Sequence, residues 1–267
     1  MKSLPKNIFS ILLFAACSAV FFSCQKVIQV DLNSSAPVIV IEGIITDQPG
    51  PYRVTLSQTV EYDQPNVFPP VSGAAVTLSD NLGNSELLTE TSSGTYTSSH
   101  MQGVPGRTYT LAVLSNGTTY TAASTMPPPV TIDSLTEGNL SFGPNNTKDI
   151  EVHFRDPTGI QNYYRFVEIK NGVPQKFIFL VSDRLQDGYE ITSTLFANTD
   201  TLRTGDSVSV QLQCIDENVY NYFRTLVQVL NNSSLATSPA NPPSNFNGGA
   251  LGYFSAYAVR SKLIIIR

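Results

Sequence analysis

Apolar residues in this chain recur at every second position in short runs, and turn formers interrupt the runs every few residues. Tyr52, Val54 and Leu56 alternate with Arg53, Thr55 and Ser57, and Tyr109, Leu111 and Val113 repeat the pattern. Ile150, Val152 and Phe154 alternate with Glu151, His153 and Arg155, and Val208, Val210, Leu212 and Cys214 close a further run. Side chains of a strand point alternately to its two faces, so this period predicts half-buried β-structure. Further strands are expected over 37–46, 74–78, 86–89, from Tyr96, and over 119–124, 130–135, 162–169, 176–181, 190–196, 251–259 and 263–266. The turns between them are rich in Gly, Pro, Asn and Asp: Asp47-Gln48-Pro49-Gly50, Asp80-Asn81-Leu82-Gly83, Gly103 to Gly106, and the hairpin dipeptide Asn116-Gly117.

The period changes once. Val219, Tyr222/Phe223, Leu226/Val227 and Leu230 have helical spacing, with Asp216-Glu217 at the end that favours negative charge and Asn231-Asn232 as a stop. One substantial helix is predicted over Asp216–Leu230, followed by a polar loop over 231–249. Pro127-Pro128-Pro129 lack backbone donors and cannot lie inside a sheet, so they are read as a linker. The fold class expected is mainly β. An immunoglobulin- or transthyretin-like sandwich would span 36–126, and a second β-rich domain carrying the helix would span 130–267.

The N-terminus has a different character. Lys2 and Lys6 make a short basic segment, and Ile8–Phe22 is apolar except for Ser10, Cys17 and Ser18. A helix of that length reaches about 22 Å, short of the ~30 Å hydrocarbon core, which fits a secretory signal over 1–23 better than a membrane span. The run ends in Phe22-Ser23-Cys24-Gln25, a small residue before a cysteine, which resembles the lipobox of bacterial lipoproteins. In that motif the thiol takes a diacylglycerol and becomes the first residue of the mature chain. Cys24 is therefore the expected lipidation residue, with 24–35 as a tether. Ala15-Ala16-Cys17 is a rival box, less favoured because it would leave Val20-Phe21-Phe22 on the mature terminus. Two or three acyl chains give a stable membrane anchor where one is marginal. Cys214 is then the remaining thiol, placed by its alternation on the inward face of a strand as a small buried hydrophobe.

Composition excludes some partners. The chain has 16 Lys+Arg against 21 Asp+Glu, a formal charge of −5, and loss of Lys2 and Lys6 with the signal makes the body more acidic. No basic stripe is present, so nucleic acid is not an expected partner. Charged residues are only 14% of the chain, below the ~25% of ordinary soluble domains, as suits an exported β protein.

A search for chemistry finds no catalytic constellation. His153 sits on the polar face of its strand beside Glu151 and Arg155, and His100 has no Cys, His or acidic residue close in sequence. No zinc-type spacing, no G-x-S-x-G elbow, no EF-hand run and no G-x-G-x-x-G occurs, so no metal and no cofactor is expected, although the composition leaves open a calcium site made of loop carbonyls and Asp. The carboxylate pairs Asp183/Asp187 and Asp200/Asp206 have glycosidase-like composition, but they lie among turn residues, where turn-forming Asp is the better reading. Tyr163, Tyr164, Phe166, Tyr220, Tyr222, Phe223, Tyr253, Phe254 and Tyr257 form an aromatic-rich set, read as core rather than as a sugar platform; the chain has no Trp. Asp133-Ser134-Leu135, Asp200-Thr201-Leu202 and Asp206-Ser207-Val208 resemble Bacteroidetes O-glycosylation tripeptides, a short pattern that arises often by chance.

Val71 to Asp80, Gly94-Thr-Tyr96 and Gly106 to Leu111 resemble strands of transthyretin-like or carboxypeptidase-regulatory-like sandwiches. Over the whole chain, the order of Cys24, PVIVIEGIIT (37–46), PVSGAAV (70–76), GTY (94–96), GRTYTL (106–111), MPPPVTIDSL (126–135), FRDPTGIQNYYRF (154–166), GDSVSVQL (205–212) and GGALGYFSAYAV (248–259) resembles a Bacteroidetes lipoprotein family, the domain-of-unknown-function family 4249. The resemblance implies an outer-membrane lipoprotein associated with TonB-dependent receptor systems, and it carries over no catalytic residue. The acidic residues that follow the cysteine in surface-exported members are missing from Gln25–Val30, so the surface and the periplasmic face stay open as alternatives. The function expected is a lipid-anchored, non-enzymatic binding or accessory module of the cell envelope. Its partners would be the membrane, a TonB-dependent receptor and a small-molecule or glycan ligand. A structural or adhesive surface protein is the alternative, and an envelope hydrolase the third reading.

Overall fold

A computed structural model describes residues 36–61, 64–142, 145–195, 202–231 and 241–267. The expected signal over 1–23, the expected tether over 24–35 and the rival cysteines Cys17 and Cys24 lie outside the described residues. So does Asp200.

The first half gives β1 (Ile39–Thr46), β2 (Arg53–Gln58), β3 (Ala75–Asp80), β4 (Ser85–Leu87), β5 (Thr89–Ser92), β6 (Thr95–Thr97), β7 (Thr108–Ser115) and β8 (Thr118–Thr125). The second half gives β9 (Ser134–Phe142), β10 (Asn145–Arg155), β11 (Tyr163–Lys170), β12 (Val173–Pro174), β13 (Phe179–Ser182), β14 (Glu190–Leu195) and β15 (Ser207–Ile215). Helix α1 (Glu217–Asn231) and the long strand β16 (Leu251–Ile265) follow. Among the described residues the chain is mainly β with a single helix, as the periodicity predicts.

A nine-stranded sheet in the order β12-β11-β15-β16-β1-β2-β6-β5, with β13 also paired to β11, runs through both halves of the chain. Its middle is β16, which pairs in parallel with β1 (Ile41 opposite Gly252) and antiparallel with β15 (Cys214 opposite Ala258). The strands alternate, so Ile41, Ile45, Phe254, Ala256, Ala258, Cys214, Leu212 and Val210 are all buried on one face. Two smaller sheets cover that face. The four-stranded sheet β4-β3-β7-β8 brings Val76, Leu78, Tyr109, Leu111 and Val113 to the first core. The three-stranded sheet β14-β10-β9 brings Ile150, Val152, Phe154, Ile191 and Leu195 to the second. The architecture is thus two β-sandwich cores under one shared sheet. Residues Pro37–Arg267 form one compact unit. The cores divide near Pro127–Pro129, but Phe246, Ala250, Phe254, Ala256 and Ala258 from the far end of the chain complete the first core. The proline segment separates the cores and not the sheet.

Helix α1 packs against the other face of the shared sheet. Val219 and Phe223 are its buried residues, and they meet Tyr163 and Ile215. The helix starts one residue after its predicted beginning because Asp216 is the N-cap: its Oδ1 accepts the Val219 amide at 2.9 Å.

Two expected strands came out differently. Val130–Leu135 is not a strand until Ser134. Val130 and Ile132 are buried in the second core as irregular chain, and the Val130 amide donates to Cys214 Sγ at 3.3 Å. The prolines before them supply no ladder donors, so side-chain burial, not pairing, places this segment. The runs 251–259 and 263–266 are one strand. Arg260-Ser261-Lys262 looks like a polar break, but these residues pair with Leu212, Gln211 and Val210, and the β15 ladder carries the strand through. The Asn116-Gly117 hairpin is as expected, with positive φ of 49° and 77° at its two residues.

Candidate functional site

At one end of the second sandwich, β10 runs out into Asp156 and β11 begins at Tyr163, with the β13–β14 connection lying against them. The two connections bring three carboxylates together. One oxygen each of Asp156, Asp183 and Asp187 lies within 4.8 Å of the other two. Asp156 and Asp183 are buried, at 2% and 1% exposure, and Asp187 is exposed.

The surrounding groups hold the carboxylates in place. Asp156 Oδ1 accepts the Tyr164 hydroxyl and Asn162 Nδ2, the latter at 3.3 Å, and its Oδ2 accepts the Gly188 amide at 3.0 Å. Asp183 Oδ2 accepts the Asn162 amide at 2.9 Å, while its Oδ1 is buried with no hydrogen-bond partner. Asp187 Oδ1 accepts the Gly159 amide at 2.7 Å. Tyr164 is buried and its ring packs edge-on against Phe154 at 4.9 Å, which fixes the hydroxyl. Burial pushes the Asp183 carboxyl above its ordinary range, and the neighbouring charges of Asp156 and Asp187 push the same way, against the Asn162 amide. Burial, with the Asp156 carboxylate beside it, raises the Tyr164 hydroxyl strongly. Among the described residues, no Lys or Arg forms an ion pair with the three aspartates.

The sequence offers Asp183 and Asp187 as a pair in a turn, and they shape one. Asp156 carries no such signal, because no metal motif spaces its ligands so far apart. The usable signal was Asp156, Asn162 and Tyr164 standing together in the segment 154–166.

The other candidates are structural. Asp206 accepts Asn171 Nδ2 at 2.8 Å and the Arg203 amide at 2.8 Å and pairs with Lys170, a closed turn. Its carboxyl is held low, first by Asn171. Cys214 is buried, and burial pushes its thiol up to about 12, far from a reactive thiolate. His153 lies between Thr136 and Thr192, at 2.8 and 2.9 Å, on the outward face of β10. His100 does have an acidic neighbour in space: Glu86 of β4 lies 3.7 Å away, and its carboxylate receives the amides of Ser99, His100 and Met101.

The aromatic set divides by strand face. Tyr164, Phe166 and Phe254 are fully buried in the sandwich cores. Tyr163, Tyr220, Tyr222, Phe223, Tyr253 and Tyr257 pack between the shared sheet and α1. Arg165 lies among them with its guanidinium 4.3 Å from the centre of the Phe223 ring. Beside α1 is a polar groove of about 440 Å³, lined among others by Tyr163, Ser182, Arg184, Glu217 and Arg224. Ser182 and Arg184 flank Asp183 in the chain.

A family model described as Domain of unknown function (DUF4249) matches residues 25–263. The chain belongs to this family. The match spans both sandwich cores, so the carboxylate cluster and the groove beside α1 both lie within the DUF4249 region. No curated protein matches the chain. No helix among the described residues is long and apolar enough to cross a membrane.

Proposed function

We propose that this DUF4249 chain is a lipid-anchored protein of the bacterial cell envelope, of the Bacteroidetes type. It would act as a non-enzymatic binding or accessory module for an outer-membrane, TonB-dependent transport system. The observation that carries the reading is the N-terminal sequence, in which a basic segment and a short apolar run end at Ser23-Cys24. The family match opens at residue 25, directly after that cysteine. Acyl chains on Cys24 would hold an acidic, β-rich body at the bilayer surface, with 24–35 as a tether. The N-terminal sandwich is read as immunoglobulin- or transthyretin-like. The polar groove beside α1 offers a place for a small polar ligand.

The test is metabolic labelling with palmitate, together with fractionation of Cys24→Ala and Cys17→Ala variants. Label is expected in the wild type and in Cys17→Ala but not in Cys24→Ala, which should remain uncleaved or be released. An unlabelled wild type would overturn the anchor. Purification of the labelled protein from native outer membranes, with partners identified by mass spectrometry, tests the transport role. Recovery without any β-barrel receptor would end it.

A further inference from the structure

We infer that Asp156, Asp183 and Asp187 form a divalent-cation site whose ligand is calcium. Two buried carboxylates and a third beside them, with no Lys or Arg ion-paired to them among the described residues, are costly to hold ionised in a protein interior. The hydrogen bonds around them do not resolve this. They satisfy Asp156, Asp187 and one oxygen of Asp183, yet Asp183 Oδ1 is left buried with no donor. That oxygen belongs to a residue only 1% exposed. A buried carboxylate oxygen without a hydrogen-bond donor, on a member of a three-carboxylate cluster, is a group that a cation would satisfy.

The spacing fits a cation of calcium's size. Calcium takes oxygen ligands at about 2.3–2.6 Å, so two of its ligands are at most about 5 Å apart. The three offered oxygens lie within 4.8 Å of one another. All three are hard oxygen donors, carried on two connections with no thiolate or imidazole among them, which disfavours zinc and copper. Magnesium keeps most of its waters and demands near-ideal octahedral geometry, whereas calcium accepts an irregular set from flexible loops. Asp187 is exposed, so water can complete the shell from that side. Binding would tie the β10–β11 connection to the β13–β14 connection and steady the end of the second sandwich. This inference does not depend on the membrane anchor.

The experiment is calorimetric titration of the full chain in detergent, stripped with chelator and titrated with calcium chloride, with magnesium chloride as comparison and melting temperature as a second readout. One calcium per chain and a higher melting temperature are expected. Asp183→Asn should abolish binding and, having lost a buried unpaired charge, should melt no lower than the stripped wild type. If circular dichroism shows that Asp183→Asn fails to fold, Asp187→Asn at the exposed position decides, with affinity lowered on the order of tenfold or more for the lost ligand charge. No heat and no melting shift at millimolar calcium, tighter binding of magnesium than of calcium, or undiminished binding in Asp187→Asn would each overturn the assignment.

Discussion

The Ser124 hydroxyl donates to the Asp216 carboxylate, and through that contact a strand of the small first sheet holds the start of α1. Ser124 Oγ also accepts the Ala256 amide of β16 at 2.8 Å, and Asp216 Oδ1 caps the helix at Val219. One buried serine therefore joins β8, β16 and the helix. Burial raises the Asp216 carboxyl despite the hydrogen bonds it receives. Ser124→Ala would leave the Ala256 amide unpaired and is expected to lower stability by about 1–3 kcal/mol. Asp216→Ala should lose about 1–2 kcal/mol through the helix cap, and Asp216→Asn, also a good cap, should lose less. Urea denaturation of the single and double variants checks this, and additive losses would show that the two residues act separately.

Gly252 is expected to tolerate no side chain. It lies in β16 opposite Ile41, has a φ of +92°, and a Cβ there would stand 2.1 Å from the Ile41 carbonyl oxygen. Gly252→Ala combines backbone strain with a clash that nothing flexible can relieve, and it should lose about 3 kcal/mol or more. The loss should appear as a lower melting temperature, with hydrogen exchange accelerated first in β1 and β16.

Glu86 makes stability depend on acid. Burial by itself would raise its carboxyl, but the amides of Ser99, Met101 and His100 outweigh burial and hold it below its ordinary value. A carboxylate whose folded pKa is depressed stabilises the fold above its unfolded pKa, and that contribution disappears as pH falls through the folded value. Glu86→Gln should therefore be destabilised at neutral pH, by about 1 kcal/mol after allowance for solvent screening. The difference from wild type should vanish below the ordinary glutamate range. A pH series of chemical denaturation reads this directly, and a constant difference at all pH values would contradict it.

Tyr253 and Tyr257 contribute to the alkaline limit, alongside the more strongly shifted Tyr164. Burial beneath α1 pushes both hydroxyls up to about 12, against the lowering effect of Arg165. A raised folded pKa contributes stability below the unfolded value near 10, and that stability is lost as pH rises from there toward 12. Ultraviolet titration should show these tyrosines ionising later than exposed ones, together with unfolding. Phe223→Ala, which opens their packing, should cost about 3 kcal/mol and bring their titration toward normal.

Much of the fold was legible because period-two alternation is local. Tyr109, Leu111 and Val113 announce a strand whatever their partners, and Val219 and Phe223 announce the helix face. Boundaries failed where pairing overrides local chemistry: Arg260-Ser261-Lys262 reads as a break until the β15 ladder carries the strand through it, and Val130 and Ile132 read as a strand although core burial alone holds them. The aromatic residues were read rightly as packing residues, but the sequence does not say that Tyr163 and Tyr164, adjacent in the chain, serve opposite faces of the sheet in contact with different neighbours.

By itself the sequence determined the β class, the turn sites and the helix over 217–231, because each depends on residues a few positions apart. Tertiary structure alone decided that the last long strand unites two cores and that Asp156 meets Asp183 and Asp187. Those outcomes depend on ladder register and on which loops share one end of a sandwich, and contacts between residues so distant in the chain leave no periodic trace in the sequence.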